Sequence, residues 1–217
     1  TCGFSTTIHK QVDDTSFTLR LSGVDIVVDC GLGSYDAKDT KAVVINGQRG
    51  HSGAFFKRFD DWTMQKFHSS GELSDLDYSI DERHNQIVSS KSFSHENLTY
   101  QIQRTINILS FYDLNIKDVF VSDDSFAGPV SRFIFDGFRN FKVVSNRVTM
   151  ESDLYRVSVL CWNPASFSIL SSYDGDITTS IAFRSLNWNE YKSVNILEIT
   201  PLEGELEVNI SIESLEK

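Results

Sequence analysis

The alternation of apolar and polar positions along the chain predicts β-strands almost everywhere. From Leu98 to Val121 apolar side chains recur at nearly every second position, as in two long paired strands that each bury one face. Near the start of the chain Phe17, Leu19 and Leu21 alternate with polar residues, and Ser22-Gly23 provides a turn into a second apolar run. The pattern therefore predicts a short early β-hairpin and a long strand pair in the middle of the chain.

Short apolar runs bounded by turn residues predict further strands. A hairpin is predicted from Leu76–Ile80 and Gln86–Val88. The other predicted strands are Ala42–Ile45, Ala54–Phe56, Ser131–Asp136, Phe141–Val144, Val148–Glu151, Tyr155–Trp162, Ser166–Ser172, Ile177–Phe183, Val194–Thr200 and Leu206–Ile212. No stretch has a sustained helical period with caps, and the sequence has no internal repeat. The predicted fold is therefore all-β, a large antiparallel β-sandwich of two sheets.

Length and composition limit the possible organisation and partners. A chain of 217 residues buries a substantial core, so residues 1–217 are expected to form a single domain. Thirty acidic against twenty basic residues give a net charge of −10, which disfavours nucleic acid as a partner. No apolar run approaches the roughly 20 residues that span a bilayer, so no membrane insertion is expected. Three cysteines do not provide a disulfide framework.

The residues that could perform chemistry lie mainly around the early hairpin. His9 and Asp13 precede its first strand and Asp29 follows its second, so the antiparallel return is expected to bring the three side chains together. His84 and His95 lie in predicted turns and are interpreted as solvated loop residues. The rim of the hairpin is therefore the candidate site.

Two groups of side chains elsewhere have mainly structural interpretations. Arg104 falls on the apolar side of a long strand, where it is expected to pair with a carboxylate such as Asp118 across the sheet. Trp62, Trp162 and Trp188 are of a type that stacks on sugar rings, but burial in the core is the commoner role of such side chains.

The spacing of polar residues in the first fifty positions resembles a known family. The resembling elements, in order, are His9, Asp13, Ser16-Phe17, the glycine-containing hairpin, Val28-Asp29-Cys30-Gly31 with Tyr35, and Arg49 with His51. This arrangement is similar to the C-terminal β-sandwich domain of heparinase II/III-like polysaccharide lyases. The resemblance implies β-elimination on a uronic-acid-containing anionic polysaccharide, in which a base removes a proton and an acid protonates the leaving oxygen.

The resemblance also assigns roles to individual residues. His9 falls on the family's cleft histidine and is the expected catalytic residue, and Lys10, Arg49 and Tyr35 are expected to bind substrate. Asp29, His51 and Gln11 fall on the positions of a structural zinc site. Glutamine is a poor zinc ligand, so Gln11 in place of a histidine implies a degraded site with too few ligands for four-coordinate zinc.

Two interpretations of the whole chain follow from the resemblance. In the first, the chain is the sandwich domain of a longer periplasmic or secreted lyase whose N-terminal helical α/α toroid is its partner and supplies the tyrosine and most of the sugar-binding residues. The isolated domain is then expected to be inactive. In the second, it is a noncatalytic domain that binds carbohydrate or supports the toroid. Asp13, Asp14 and Asp29 also permit a paired-carboxylate glycosidase, but the resemblance explains the same residues.

Overall fold

The computed structural model describes residues 12–31, 38–62, 66–67, 75–171, 182–187 and 190–215. Four of the predicted site residues, His9, Lys10, Gln11 and Tyr35, lie outside these ranges. Cys2, Trp188 and most of the predicted strand Ile177–Phe183 also lie outside them. Among the described residues, no helix has the length and apolar character needed to cross a membrane.

The described residues form sixteen β-strands, one α-helix and two short 3₁₀ helices. The strands are β1 (Leu19–Leu21), β2 (Val24–Val27), β3 (Ala54–Phe56), β4 (Asp75–Asp81), β5 (Gln86–His95), β6 (Leu98–Ile108), β7 (Asp113–Ser122), β8 (Pro129–Phe135), β9 (Arg139–Val144), β10 (Arg147–Glu151), β11 (Tyr155–Cys161), β12 (Ala165–Ser171), β13 (Phe183–Asn187), β14 (Glu190–Ser193), β15 (Asn195–Pro201) and β16 (Glu205–Ser214). The α-helix α1 spans Thr40–Asn46, and the 3₁₀ helices span Gln48–Gly50 and Lys57–Phe59.

Two large antiparallel sheets build the predicted sandwich. Eight strands pair in the order β4-β5-β6-β7-β16-β11-β10-β9, and four pair in the order β12-β15-β8-β3. The predicted long central pair is β6 with β7, in continuous register from Tyr100 opposite Ser122 to Ile108 opposite Leu114. The predicted early hairpin is β1 with β2, joined by Ser22 and Gly23 in the left-handed region of the backbone. The all-β prediction is confirmed.

The main hydrophobic core lies between the inner faces of the two large sheets. Alternate residues of the eight-stranded sheet, such as Ile116, Val157 and Val208, meet Phe133 and Leu197 of the four-stranded sheet. All five side chains are at most 1% exposed. Burial of apolar area at about 25 cal/mol per Å² makes this contact the main source of stability. The same burial explains the strict alternation that made the strands predictable.

A second cluster of aromatic rings closes one end of the sandwich. Phe59 contacts the rings of Trp62, Phe93 and Tyr100 at centroid distances of 4.9, 5.0 and 4.8 Å. The core role expected for Trp62 is confirmed. Trp162 does not follow that expectation, because it comes directly after β11 and is 60% exposed.

The predicted strand Ala42–Ile45 is wrong, because these residues lie in helix α1. The side chain of Asp39 caps the helix by accepting hydrogen bonds from the backbone N–H groups of Lys41 and Ala42 at 3.0 and 3.3 Å. Ala42 and Ile45 are buried three positions apart, which is a helical spacing. The run of Ala and β-branched residues therefore forms a short helix of about two turns with its own cap.

Two further differences from the sequence predictions concern local surroundings. His95, predicted to be a solvated loop residue, is the last residue of β5, and its ring packs on Trp62 and Phe59 at 4.8 and 5.7 Å. The short hairpin β13-β14 was not predicted, because its two strands have few apolar positions. In both cases contacts from distant parts of the chain decide the structure.

Two arginines are buried in the sandwich, each neutralised by carboxylates. Arg104 donates to Asp118 through Nε at 2.7 Å and Nη2 at 2.6 Å, and both side chains are 1% exposed. The predicted pairing of these two residues is therefore confirmed. Arg132 donates to both oxygens of Asp60 and to Glu198, which also accepts from Lys57 at 2.8 Å. Burial lowers the pKa of Arg132, but the two carboxylates more than offset that effect, so its pKa is raised.

Substitution of Arg104 by Met is expected to lower the free energy of unfolding by about 3–5 kcal/mol, because it leaves the buried Asp118 carboxylate without its partner. Urea or guanidinium unfolding measures this loss. The matched control is Lys117→Met, which removes a neighbouring cation whose pair with Glu205 is half exposed. The control is expected to cost less than about 1 kcal/mol. Equal stability of the two variants would contradict the role of the buried pair.

Candidate functional site

The site begins where β2 ends against the four-stranded sheet. Val28 forms an isolated bridge to Ile134 and donates its N–H to the Ile134 carbonyl at 2.9 Å. Cys30 donates its N–H to the carbonyl of Gly50 at 2.8 Å, which holds the backbone after β2 beside the segment after the first 3₁₀ helix. Asp29 lies between these two anchors, so its position is set by backbone hydrogen bonds on both sides.

Asp29 and His51 face each other across this junction. Their closest atoms, Oδ2 of Asp29 and Nδ1 of His51, are 3.3 Å apart. The imidazole of His51 is completely buried, whereas the side chain of Asp29 is 26% exposed. The structure therefore brings together the two described residues that the resemblance assigned to a zinc site. Cys30, the next residue, is also buried, and burial is the main cause of the raised pKa of its thiol.

Ser52 fixes this junction through both its backbone and its side chain. Its N–H donates to Oδ1 of Asp29 at 3.0 Å. Its hydroxyl donates to the carbonyl of Val28 at 2.7 Å and accepts from the N–H of Ile134 at 2.9 Å. One serine thus satisfies buried groups of β2 and β8 and orients the aspartate.

Gly50 allows the 3₁₀ helix to approach α1 closely enough to place His51. A Cβ atom at position 50 would lie 2.1 Å from the backbone carbonyl oxygen of Ile45, which is too close for any side chain. Only glycine fits this contact, because the obstructing atom belongs to the backbone. The Arg-Gly-His order in the sequence therefore reflects a packing requirement next to the histidine.

The chain that follows His9 in sequence is held against the same junction. Thr15 exchanges hydrogen bonds with Ala54, donating through its hydroxyl at 2.8 Å and accepting at 3.0 Å. Phe17 donates its N–H to the carbonyl of Ser52 at 3.1 Å. The hydroxyl of Ser16 lies 3.5 Å from Oδ2 of Asp29 and donates to the carbonyl of Asp13 at 2.7 Å. Ser16 therefore brings the segment after Asp13 to Asp29, whereas the expected meeting of the side chains of His9, Asp13 and Asp29 stays a prediction.

Two buried cations, Arg104 and Lys91, contact the segment that contains Asp14 and Thr15. Nη1 of Arg104 donates to the carbonyls of Thr15 and Ser52, both at 3.2 Å. Nζ of Lys91 lies 3.0 Å from Oδ2 of Asp14, and both side chains are at most 4% exposed. The two cations extend from the neighbouring strands β6 and β5. The contacts of Lys91 were not predicted, although its alternation with Phe93 in the sequence indicates an inward direction.

The distance between Asp29 and His51 fits the spacing of two neighbouring ligands of zinc, the metal that the resemblance implies. Within the described ranges, neither ring nitrogen of His51 makes a hydrogen bond, which is unusual for a buried imidazole. Tetrahedral zinc with bonds of about 2.0–2.1 Å separates neighbouring ligand atoms by roughly 3.3–3.4 Å. The observed 3.3 Å matches that separation. Among the residues that the structure describes, no cluster of three or more His, Cys, Asp or Glu side chains could hold a metal ion, so Asp29 and His51 are the two residues of the implied zinc site that can be compared with zinc geometry.

Arg49, predicted to bind substrate, lies near carboxylates of its own chain. Its Nε lies 3.6 Å from Asp60 and its Nη2 lies 3.4 Å from Asp61. The side chain of Asp61 is 81% exposed, whereas that of Asp60 is 10% exposed and bound to Arg132. Arg49 is therefore already partly neutralised on the side that faces the protein.

Replacement of Ser52 by Ala is expected to destabilise the protein by about 1–3 kcal/mol, because the carbonyl of Val28 and the N–H of Ile134 lose a buried hydrogen-bond partner. Chemical denaturation measures the change. Ser94, an exposed serine of β5, provides the control, and Ser94→Ala is expected to change stability by less than about 0.5 kcal/mol. A loss for Ser52→Ala no greater than that of the control would exclude the proposed function of its hydroxyl.

Comparison with known proteins places this fold among lyase structures. No protein-family model and no curated protein matches the sequence. Among solved structures, heparan sulfate lyase HepC from Pedobacter heparinus is similar over 97% of this chain, with a TM-score of 0.67 and 12% identity. The heparinase III BT4657 gene product, with methylated lysines, is similar over 100% of this chain, with a TM-score of 0.69 and 11% identity.

In both comparisons this chain spans 32% of the length of the solved protein. At this level of identity the similarity establishes the fold and does not transfer an activity. The family resemblance inferred from the sequence is confirmed at that level: the chain has the fold of a heparinase-like C-terminal β-sandwich domain.

Proposed function

We propose that this chain is the β-sandwich domain of a longer polysaccharide lyase that cleaves a uronic-acid-containing anionic polysaccharide by β-elimination. The observation that carries the proposal is the fold similarity to two lyases over nearly the whole chain. The printed names of those proteins are heparan sulfate lyase and heparinase III. This chain spans about a third of their length, and in the proposal the rest of the active site belongs to the N-terminal helical toroid that the resemblance implies.

The proposed reaction breaks a carbon–oxygen bond without an external reductant or oxidant. A base removes the proton from the carbon next to the uronate carboxylate, and a double bond forms as the neighbouring C–O bond breaks. An acid, supplied by the toroid, protonates the leaving oxygen. Imidazole suits removal of the proton or stabilisation of the developing charge, because its ordinary pKa is near neutral. His9 has this function in the proposal.

Two features of the described structure next to His9 in sequence support its proposed role. The residues that follow it, from Val12 onward, are fixed to the junction of Asp29 and His51 by the hydrogen bonds of Thr15 and Phe17. On the side of the sheet these residues contact the buried cations Arg104 and Lys91, not solvent. A catalytic side chain needs a support of this rigidity to hold a reactive geometry.

Substrate binding in this proposal involves Lys10, Arg49 and Tyr35. The chain has a net charge of −10, so binding of an anionic polymer depends on local cations. Arg49 would bind a substrate carboxylate by exchanging its contact with the exposed Asp61 for the sugar. A polymeric substrate of capsular or matrix type lies outside the cell, and we therefore place the protein in the periplasm or among secreted proteins.

A structural zinc ion belongs to the same proposal. Asp29 and His51 would hold it, with Gln11 as the weak third ligand, and the bound ion would fix the backbone after β2 to the segment after the 3₁₀ helix. The ring nitrogens of His51, which make no hydrogen bond among the described residues, and the 3.3 Å separation of Nδ1 from Asp29 support this assignment. The ion has no role in the elimination step.

Replacement of His9 by Ala in the full-length protein is expected to abolish elimination, because the proposed base or charge-stabilising group is lost. The assay follows the ultraviolet absorbance of the unsaturated uronate product on a panel of glycosaminoglycans and capsular polysaccharides. His84→Ala is the matched control, since His84 is exposed and pairs with Asp81 on the turn between β4 and β5.

The control variant is expected to keep the activity of the unmodified protein. Activity that survives in His9→Ala would remove His9 from the mechanism. No elimination by the unmodified full-length protein, with polysaccharide binding retained, would favour the noncatalytic carbohydrate-binding or supporting domain instead.

Zinc binding is tested independently of activity. The purified full-length protein is expected to contain zinc by elemental analysis, and a chelator is expected to lower its melting temperature. Asp29→Ala and His51→Ala are expected to lose the metal and to become insensitive to the chelator, because each removes one of the two described ligands. His84→Ala again serves as the control. Equal zinc content in all four proteins would contradict the assignment.

A further inference from the structure

The outward face of the eight-stranded sheet contains a pocket that is separate from the candidate site. Lys91, Ile102 and Phe120 point from strands β5, β6 and β7 into the protein and are at most 6% exposed. Because side chains alternate along a strand, their sequence neighbours point outward. Six of these neighbours line a pocket of about 490 Å³, a volume typical of ligand sites. We call it the outer pocket, and the six residues are Ser90, Ser92, Gln101, Gln103, Val119 and Val121.

Two amide side chains in the outer pocket are available to a ligand. Gln101 and Gln103 lie two positions apart on β6, and both are exposed. Further along the same pair of strands, Asn107 donates to Asn115 at 3.1 Å, whereas neither glutamine amide makes a hydrogen bond within the described part of the chain. A carboxamide both donates and accepts. Two of them on one strand therefore suit a ligand with several neighbouring hydroxyl groups.

The charges around the outer pocket favour an uncharged ligand. Asp77 is exposed and lies beside Ser90 in the same cross-strand row. On the other side of the pocket Glu205 lies opposite Val119 and pairs with Lys117 at 3.1 Å, so this cation is already neutralised. The carboxylate of Asp77 and the net charge of −10 both repel an anionic polymer. A ligand that is uncharged and rich in hydroxyl groups has the chemistry of a neutral carbohydrate.

Apolar side chains on the same face provide contacts for sugar rings. Val119 and Val121 lie in the outer pocket, and Val121 is 54% exposed. Trp162 follows the inward-pointing Cys161 and donates its N–H to the carbonyl of Glu207 at 2.8 Å, which places it on the outward face. Its side chain is 60% exposed, and β11 is two strands from β7, about 10 Å away. The flat apolar face of an indole suits the C–H face of a sugar ring.

The outer pocket and the candidate site lie on opposite faces of one sheet. Lys91 and Arg104 point inward and support the candidate site. Ser90 and Gln103, their neighbours in sequence, point outward into the pocket. A ligand in the outer pocket therefore leaves the candidate site free, and both surfaces can be occupied at the same time.

We infer that the outer pocket binds a neutral carbohydrate chain. Gln101 and Gln103 hydrogen-bond to its hydroxyl groups. Val119 and Val121 contact the C–H face of one ring, and Trp162 stacks on a ring further along the carbohydrate. This binding goes beyond the proposed elimination, whose substrate is anionic and lies at the hairpin rim on the opposite face. Its consequence is attachment of the protein to a neutral polymer while an anionic polymer is cleaved.

Native gel electrophoresis of the full-length protein through embedded polysaccharide tests the inference. Each gel contains dextran, galactomannan, arabinoxylan, mixed-linkage β-glucan or, as the anionic comparison, heparan sulfate. At least one neutral polymer is expected to retard the unmodified protein. The double substitution of Gln101→Ala with Gln103→Ala, and separately Trp162→Ala, is expected to weaken that binding by about tenfold or more, because two hydrogen bonds or one ring contact are lost.

Two exposed side chains elsewhere provide matched controls. Phe126→Ala removes an aromatic ring that is 85% exposed on the loop between β7 and β8, and it is compared with Trp162→Ala. His84→Ala removes an exposed polar side chain from the turn between β4 and β5, and it is compared with the double variant. Both controls are expected to bind as the unmodified protein does. All variants are expected to keep its melting temperature, since the substituted side chains are exposed.

The outcomes separate this inference from the proposed function. No retardation by any of the neutral polymers would overturn the outer pocket, and so would retardation that either variant leaves unchanged. Retardation by heparan sulfate alone, lost in the double variant, would identify an anionic ligand and would also overturn it. Neutral binding that the variants lose supports the inference, even if the unmodified protein shows no elimination. Elimination without neutral binding would leave the proposed function intact and remove only the outer pocket.

Discussion

The buried ion pair of Arg104 and Asp118 is the constraint on which the site depends. A guanidinium with 1% exposure must have its charge and its donors satisfied inside the protein. Asp118 satisfies one side of the group, and the carbonyls of Thr15 and Ser52 accept from the other. The central strands thereby fix two loops that are distant in sequence and that meet at Asp29 and His51.

The site is consequently built on loops but positioned by the sheets. The loops around Thr15 and Ser52 are not strands of either large sheet, so their backbone groups are satisfied by individual hydrogen bonds and charged side chains. The hydroxyl of Ser52 bonds the backbone carbonyl of Val28 and the N–H of Ile134. Lys91 forms an ion pair with the carboxylate of Asp14. Polar groups buried at this point determine one arrangement of the loops, whereas the hydrophobic core provides the stability.

The architecture explains why this domain alone does not form the cleft that the proposed lyase activity requires. A β-sandwich presents a few rigid side chains at one rim, and elimination from a polymer requires a cleft with a second wall. At the β4–β5 edge of the eight-stranded sheet the smaller sheet no longer covers the inner face, and Ile87 and Ile80 there are 37% and 63% exposed.

The sequence by itself determined most of the strands, the early hairpin, the all-β class and the Arg104–Asp118 pair, because each depends on a period of two residues or on neighbouring strands in register. The family resemblance also placed Asp29 and His51 at one site, and the structure has them 3.3 Å apart. Only the tertiary structure decided that Ala42–Ile45 is helical, that Ser52 and Lys91 support the site, that His95 is packed on aromatic rings and that Ile80 and Ile87 are exposed. These features depend on contacts between residues far apart in the chain and on where the smaller sheet ends, and no local pattern of side chains encodes such distances.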